Sequence, residues 1–193
     1  MNEHLIMLGR FVRNPRTIGA VTPSSKFLAR EMMSELDLSG DVRLVELGPG
    51  TGVVTREIAA RLGPEARCLA IDIDPGFVEE LHEQFPGIDV VCGSAAQLGD
   101  LAARHGFSRI DHIVSGLPFA SLPAAVTAQI LDSVSAVLPH GGTFTTFQYV
   151  HGYPSPLAST FRRDLSARLG AAPSRTLVLR NVPPAYVLRW SRA

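Results

Sequence analysis

Two strand-like runs near the carboxyl end, Ser174–Arg180 and Ala185–Trp190, are separated only by Asn181-Val182-Pro183-Pro184. A parallel crossover needs about a dozen residues or more, so these runs must pair as an antiparallel hairpin. The chain upstream follows another rhythm. Strand patterns at Arg43–Glu46, Arg67–Asp72, Ile88–Cys92, Arg109–Ser115 and Thr143–Tyr149 alternate with helical patterns at Thr51–Arg61, Pro75–Gln84, Ala96–His105, Pro123–Leu138 and Pro156–Leu169. Short apolar strands joined by helices build a parallel sheet covered on both faces. The expected fold is α/β, three layers around a sheet of seven strands, the last of them antiparallel.

Ahead of the sheet lies a helical leader. Asn2–Val12 forms an amphipathic helix with Leu5, Leu8, Phe11 and Val12 on one side and Arg10 and Arg13 on the other, ended by Asn14-Pro15. Pro23-Ser24-Ser25 then caps a second helix carrying Phe27, Leu28, Met32, Met33 and Leu36. The expected division is a leader over residues 1–36 and a sheet domain over residues 37–193. With 46% hydrophobic residues in a chain of 193, there is material for a packed core, which excludes a disordered tail. No uninterrupted apolar run reaches the roughly 18 residues of a membrane-spanning helix. Leu5-Ile6-Met7-Leu8 is too short for a secretory signal. Cys68 and Cys92 suggest no disulfide framework; they fall on neighbouring predicted strands, where buried thiols are expected, and point to the cytosol. His4, His82, His105, His112 and His140 are scattered, so no metal site is expected.

The first strand-to-helix turn reads Glu46-Leu47-Gly48-Pro49-Gly50-Thr51-Gly52. Glycines let the chain bend sharply and let a ligand approach the main chain. The dinucleotide fingerprint G-x-G-x-x-G, counted from Gly48, requires Gly or Ala at the position of Val53. The spacing is instead E-x-G-x-G-x-G, which resembles the first motif of class I S-adenosylmethionine-dependent methyltransferases. Their Rossmann-like, seven-stranded sheet also matches five βα units closed by a hairpin. The resemblance implies S-adenosylmethionine as cofactor. It implies that Glu46 orients the cofactor's amino-acid end and that Gly48, Pro49, Gly50, Thr51 and Gly52 lie against its methionine and ribose portion. Asp72, 24 residues after Gly48, would accept the ribose hydroxyls; Asp74 is the alternative, or else a helix cap before Pro75. Ile73 would pack on the adenine and Gly93-Ser94-Ala95 would line its edge, with Ser94 where many relatives have Asp.

Beyond the fourth strand stands Ser115-Gly116-Leu117-Pro118-Phe119. Amino-methylating relatives carry N/D-P-P-Y/F or N-L-P-Y here, with the target nitrogen received beside the cofactor. The resemblance thus gives Ser115, Gly116 and Leu117 a place on the cofactor side and Ser115 a catalytic one. Phe119 either faces a cationic amine through its ring or serves the core of a proline-stiffened loop. Together with Phe11–Ser25 (FVRNPRTIGAVTPSS) and Tyr149–Pro156 (YVHGYPSP), these segments make the chain resemble the bacterial phospholipid N-methyltransferases. That resemblance implies methylation of phosphatidylethanolamine towards phosphatidylcholine. An amine attacks only when unprotonated and aligned, so positioning and desolvation carry the catalysis. Tyr149, His151 and Tyr153 can line the amine pocket or take its proton through water. Otherwise Tyr149 ends a strand in the core and His151 is a solvated loop residue. Arg16, Arg162, Arg163 and Arg180 are candidates to hold the lipid phosphate, and no spacing selects among them.

A formal net charge of zero hides an uneven distribution: +4 over residues 1–30, −10 over 31–150 and +6 over 151–193. Basic ends of this kind mark a polyanion or membrane-surface contact. The leader helix can lie in a headgroup layer, or pack on the domain as a lid. The expected partners are a phospholipid substrate and an anionic membrane surface met through the N-terminal helix, with no nucleic acid and no metal. The expected location is cytoplasmic, peripheral to the inner face of the plasma membrane. Competing readings are a ribosomal RNA adenine dimethylase, a small-molecule methyltransferase, and a non-catalytic lipid-binding module.

Overall fold

A computed structural model describes residues 25–193. In chain order the elements are α1 (Lys26–Met32), β1 (Arg43–Leu47), α2 (Val53–Ala59), β2 (Arg67–Asp72), α3 (Pro75–Gln84), β3 (Asp89–Cys92), a 3-10 turn (Ala95–Gln97), α4 (Leu98–Arg104), β4 (His112–Ser115), α5 (Ala124–Val137), β5 (Thr143–Tyr149), α6 (Pro156–Leu169), β6 (Ser174–Val178) and β7 (Ala185–Ser191). The seven strands run in the order β3-β2-β1-β4-β5-β7-β6. The first five are mutually parallel, and β7 runs antiparallel to both β5 and β6. This is the Rossmann-like class I methyltransferase sheet, with its terminal hairpin as expected.

Strand order reverses between β1 and β4. Chains leaving their carboxyl ends diverge there, opening the crevice in which α/β sheets bind ligands. Leu47 and Ser115 are register partners at that edge, which brings the glycine turn beside the loop after β4. Helix α2 starts at Val53 rather than Thr51, because Gly52 takes a left-handed φ of 77° as its cap.

Two apolar cores sandwich the sheet. One joins Leu69, Ile71, Ile113, Ile130, Phe144 and Trp190 to α5 and α6. The other joins Leu44, Ala70, Val114 and Val187 to α1 and α2. Helix α1 is capped by Ser25, whose hydroxyl accepts from the Leu28 amide, and its Leu28, Ala29, Met32 and Met33 are fully buried. Helix α1, part of the leader expected over residues 1–36, packs into this second core. The amphipathic helix expected at Asn2–Val12, and Arg16, lie outside the described residues.

Two expectations change. Cys68 is buried as expected, but Cys92 is exposed. It is the last residue of β3, which forms a sheet edge and has a neighbour on one side only. The basic tail is also partly spent inside the fold. Arg189, 6% exposed, pairs with Glu35 at 2.5 Å. Arg168 pairs with Asp132 at 2.8 Å, and Arg192 donates to the carbonyls of Ser135 and Leu138. Counting charges along the chain cannot separate such inward arginines from those left on the surface.

Candidate functional site

The glycine turn leaves β1 at the centre of the sheet's carboxyl edge. Gly50 has a φ of 53°, and a Cβ built on it would meet no heavy atom within 4 Å. Its backbone thus faces open space. The neighbouring loop is tight instead: a Cβ on Gly116 would stand 2.6 Å from the Gly48 carbonyl oxygen. The two loops touch through bare backbone, and Leu117 covers Gly48.

Asp72 ends β2 next door and is nearly buried. One carboxylate oxygen accepts from the Gly50 amide at 3.0 Å and the other from the Asp74 amide at 2.9 Å. Burial raises its pKa, and these backbone donors oppose the shift. Each oxygen keeps a lone pair for a hydroxyl donor. Asp74 caps α3, accepting from the Gly76 amide at 2.8 Å. Ile73 is half-buried against the α5 and α6 core. Gly93 donates to the Asp72 carbonyl at 2.8 Å, which sets Gly93-Ser94-Ala95 alongside. The Ser94 hydroxyl caps the 3-10 turn by accepting from the Ala96 amide at 3.2 Å.

Glu46 lies on β1 just before the turn and is 1% exposed. Burial pushes its carboxyl up to about 8, with nearby Thr55 opposing the shift and the Asp72 charge adding to it. Yet Oε2 of Glu46 and the Thr55 hydroxyl both lack a completed hydrogen bond. A buried carboxylate oxygen without a partner is costly unless a cation or donor arrives. Glu46 for an ammonium, the open backbone at Gly50, and Asp72 for a diol form a donor set that fits S-adenosylmethionine.

On the acceptor side, Ser115 is fully buried. Its hydroxyl accepts from the Leu117 amide at 3.3 Å, and its carbonyl accepts from the Thr146 hydroxyl at 2.9 Å. Ser115 thereby shapes the loop. Phe119 is 3% exposed and stacks on Phe161 with ring centroids 4.2 Å apart. Its ring serves the core, so the substrate role expected of it gives way to packing.

The three residues expected in one amine pocket separate. Tyr149 and His151 stack with centroids 5.7 Å apart, and Tyr149 borders the core beneath α1 and α2. Burial raises the Tyr149 pKa, which keeps the phenol protonated and makes it a poor proton acceptor. His151 is exposed. Tyr153 turns to the other face, edge-on to Tyr186 at 4.9 Å.

The arginines separate likewise. Arg162 lies over the Tyr153 ring at 3.7 Å and donates to Gln148 at 2.6 Å. With Tyr153, Ser159, Arg163, Ser166 and Arg175 it lines a groove of about 630 Å³ between α6 and β6. Arg163 pairs with Asp164 at 3.1 Å. Arg180 sits apart in the β6–β7 turn, 5.2 Å from the Phe27 ring centroid. Arg175, 4.7 Å from the Tyr186 ring centroid, carries no sequence signal of its own. Alternation along β6 puts it on the Tyr186 face, but only once the hairpin register is known. Among the described residues no cluster of His, Cys, Asp and Glu could hold a metal ion. Nor is any of their helices long and apolar enough to cross a membrane.

Comparison with known proteins agrees with this geometry. Residues 44–142 match the family model described as methyltransferase domain. The chain is 33% identical over 147 residues to an ornithine lipid N-methyltransferase of Singulisphaera acidiphila, covering 75% of this chain and 77% of that protein. It is 28% identical to a ribosomal RNA small subunit methyltransferase A of Geobacter metallireducens, over 66% of this chain but only 46% of that protein. Among solved structures, a Burkholderia thailandensis 1,6-didemethyltoxoflavin-N1-methyltransferase superposes with a TM-score of 0.69 at 16% identity, covering 97% of this chain and 88% of that one. That likeness concerns the fold.

Proposed function

The chain belongs to the methyltransferase-domain family, and from that premise we propose that it methylates the amine of a membrane aminolipid. Phosphatidylethanolamine and its methylated intermediates, leading to phosphatidylcholine, are the acceptors put forward first; ornithine lipid is the direct competitor. The observation that carries the reading is the 33% identity spread over 77% of an ornithine lipid N-methyltransferase. Both headgroups offer an amine beside an anion, a phosphate in one and a carboxylate in the other.

S-adenosylmethionine bound at the carboxyl edge supplies an electrophilic methyl group. Asp72 holds the ribose diol and Glu46 answers the cationic amino-acid end. Gly48, Pro49, Gly50, Thr51 and Gly52 give the backbone surface between them. Ile73 and Gly93-Ser94-Ala95 flank the adenine. The Ser115-Gly116-Leu117 loop keeps water from the reacting amine, whose nucleophilicity depends on desolvation. Ser115 positions that loop through its bonds to Leu117 and Thr146. Exposed His151 takes the amine's proton through water. Tyr149 stacks beneath it, and Tyr153 forms the wall of the arginine groove. Arg163 and Arg175, with Arg162 behind them, meet the headgroup anion. Arg180 contributes to the basic surface facing a membrane from the cytoplasm, and Arg16, outside the described residues, remains a candidate for the lipid phosphate.

Full-length protein incubated with methyl-labelled S-adenosylmethionine tests this. Separate reactions contain phosphatidylethanolamine vesicles, ornithine lipid vesicles, ribosomal RNA and soluble amines. Label in an aminolipid is expected. Cofactor binding without label in either lipid would overturn the reading, and label in RNA would replace it.

A further inference from the structure

The large apolar side chains that the described residues leave exposed do not scatter. Val150, Leu157, Leu177, Leu179 and Val182 all belong to the β5–α6 connection, the first turn of α6, or the end and turn of the β6–β7 hairpin. β6 runs parallel to β5, since both oppose β7, so its exit lies at the same carboxyl edge as the glycine turn. The Val150 amide donates to the Pro184 carbonyl at 2.9 Å, which ties the two connections together. Leu179 and Val182, 70% and 77% exposed, flank Arg180 at the tip. No acidic residue follows Asp164 in the sequence, so the hairpin offers Arg180 no opposing charge.

The tip is held rigidly. Buried Asn181 donates to the Pro183 carbonyl at 2.7 Å and accepts from the Ser25 amide at 2.9 Å. A loop that spends a buried asparagine on its own shape while presenting leucine and valine to solvent is built to meet an apolar surface. Arg180 between them favours an anionic one.

We propose that the β6–β7 turn docks on an anionic bilayer, with Leu179 and Val182 entering the headgroup–acyl boundary and Arg180 meeting lipid phosphates. This rests on the aminolipid reading, and it adds an element that brings the carboxyl edge of the sheet against the lipid surface. An aminolipid headgroup would then reach the site without leaving the bilayer.

The sequence contains one tryptophan, Trp190, which is fully buried, so a second tryptophan reports on its own surroundings. Full-length Leu179→Trp protein is mixed with vesicles of phosphatidylethanolamine and phosphatidylglycerol, with and without brominated acyl chains. A blue shift on vesicle addition, with quenching by the brominated chains, is expected. The Leu179→Ser, Val182→Ser double variant should lose about tenfold or more in vesicle partitioning, having lost two inserted apolar side chains. Failure of wild-type protein to float with vesicles would overturn the proposal. So would flotation of Leu179→Trp without spectral change. Emission already blue-shifted without lipid would mean that residues 1–24 or a second copy cover the tip, and would overturn it too. Methyl transfer to aminolipid in detergent micelles is assayed in parallel. Transfer there by wild type and double variant alike keeps the aminolipid reading when docking fails. Absence of transfer in micelles sinks that reading, while the tryptophan still reports docking.

Discussion

Replacing Glu46 with glutamine should stabilise the ligand-free protein while weakening its hold on the cofactor. Burial lifts the Glu46 carboxyl from 4.5 to about 8 in the folded chain. Between those values the native state keeps a proton that the unfolded state releases, so stability falls as pH rises. Each pKa unit is worth about 1.4 kcal/mol, so the fixed fold loses about 3 kcal/mol by pH 7 and on the order of 5 kcal/mol above pH 8.5. Below about pH 4.5 both states are protonated and the contribution vanishes. Glutamine has nearly the shape of the protonated acid and no titration, so its advantage should be near zero in acid and widen steadily toward about pH 8. Urea unfolding of wild-type and Glu46→Gln protein across that range, without ligand, reads the difference directly. Added S-adenosylmethionine should reverse the order, because its ammonium favours the carboxylate that glutamine lacks. Two unfolding curves with the same pH dependence would refute the assignment of a strained, protonated Glu46.

Three further outcomes follow from the same geometry. Asp72→Asn keeps one carbonyl acceptor for the Gly50 or Asp74 amide but cannot serve both, and should weaken S-adenosylmethionine binding by about tenfold or more, read by calorimetry. Gly116→Ala would set a methyl group 2.6 Å from the Gly48 carbonyl and force the two loops apart. It should lower cofactor affinity and melting temperature together; unchanged values would mean the loops part freely. Phe119→Ala removes a ring stacked in the core and should cost about 3–5 kcal/mol in chemical denaturation. A loss of activity with stability intact would return Phe119 to the acceptor site.

The readable parts of this fold are those in which local chemistry leaves little choice. The glycine spacing at Gly48, Gly50 and Gly52 marks a turn with three left-handed residues. The four residues between the last two strands force a hairpin. Neither depends on distant contacts. Phe119 illustrates the opposite case, because an aromatic after a loop proline reads alike whether it faces a ligand or the core. Phe161, on a helix well downstream, supplies the ring against which it stacks. Tyr149, His151 and Tyr153 sit close in sequence, yet the chain turns between them and sends Tyr153 to the α6 face. Arg175 joins Arg162 and Arg163 only through the pairing of β6 with β7. Cys92 is exposed because β3 lies at the sheet's edge, and strand order is not written in any one segment. Glu46 is intermediate: its motif is plain, but its unpartnered oxygen appears only once β1 is buried between β2 and β4.

The most direct measurement is mass spectrometry of lipids extracted after full-length protein has turned over S-adenosylmethionine on vesicles containing phosphatidylethanolamine and ornithine lipid together. Aminolipid headgroups should gain mass in steps of one methylene, and at limiting cofactor the Asp72→Asn protein should convert far less of them. Both lipids recovered unmodified from a protein that binds the cofactor would contradict an aminolipid N-methyltransferase.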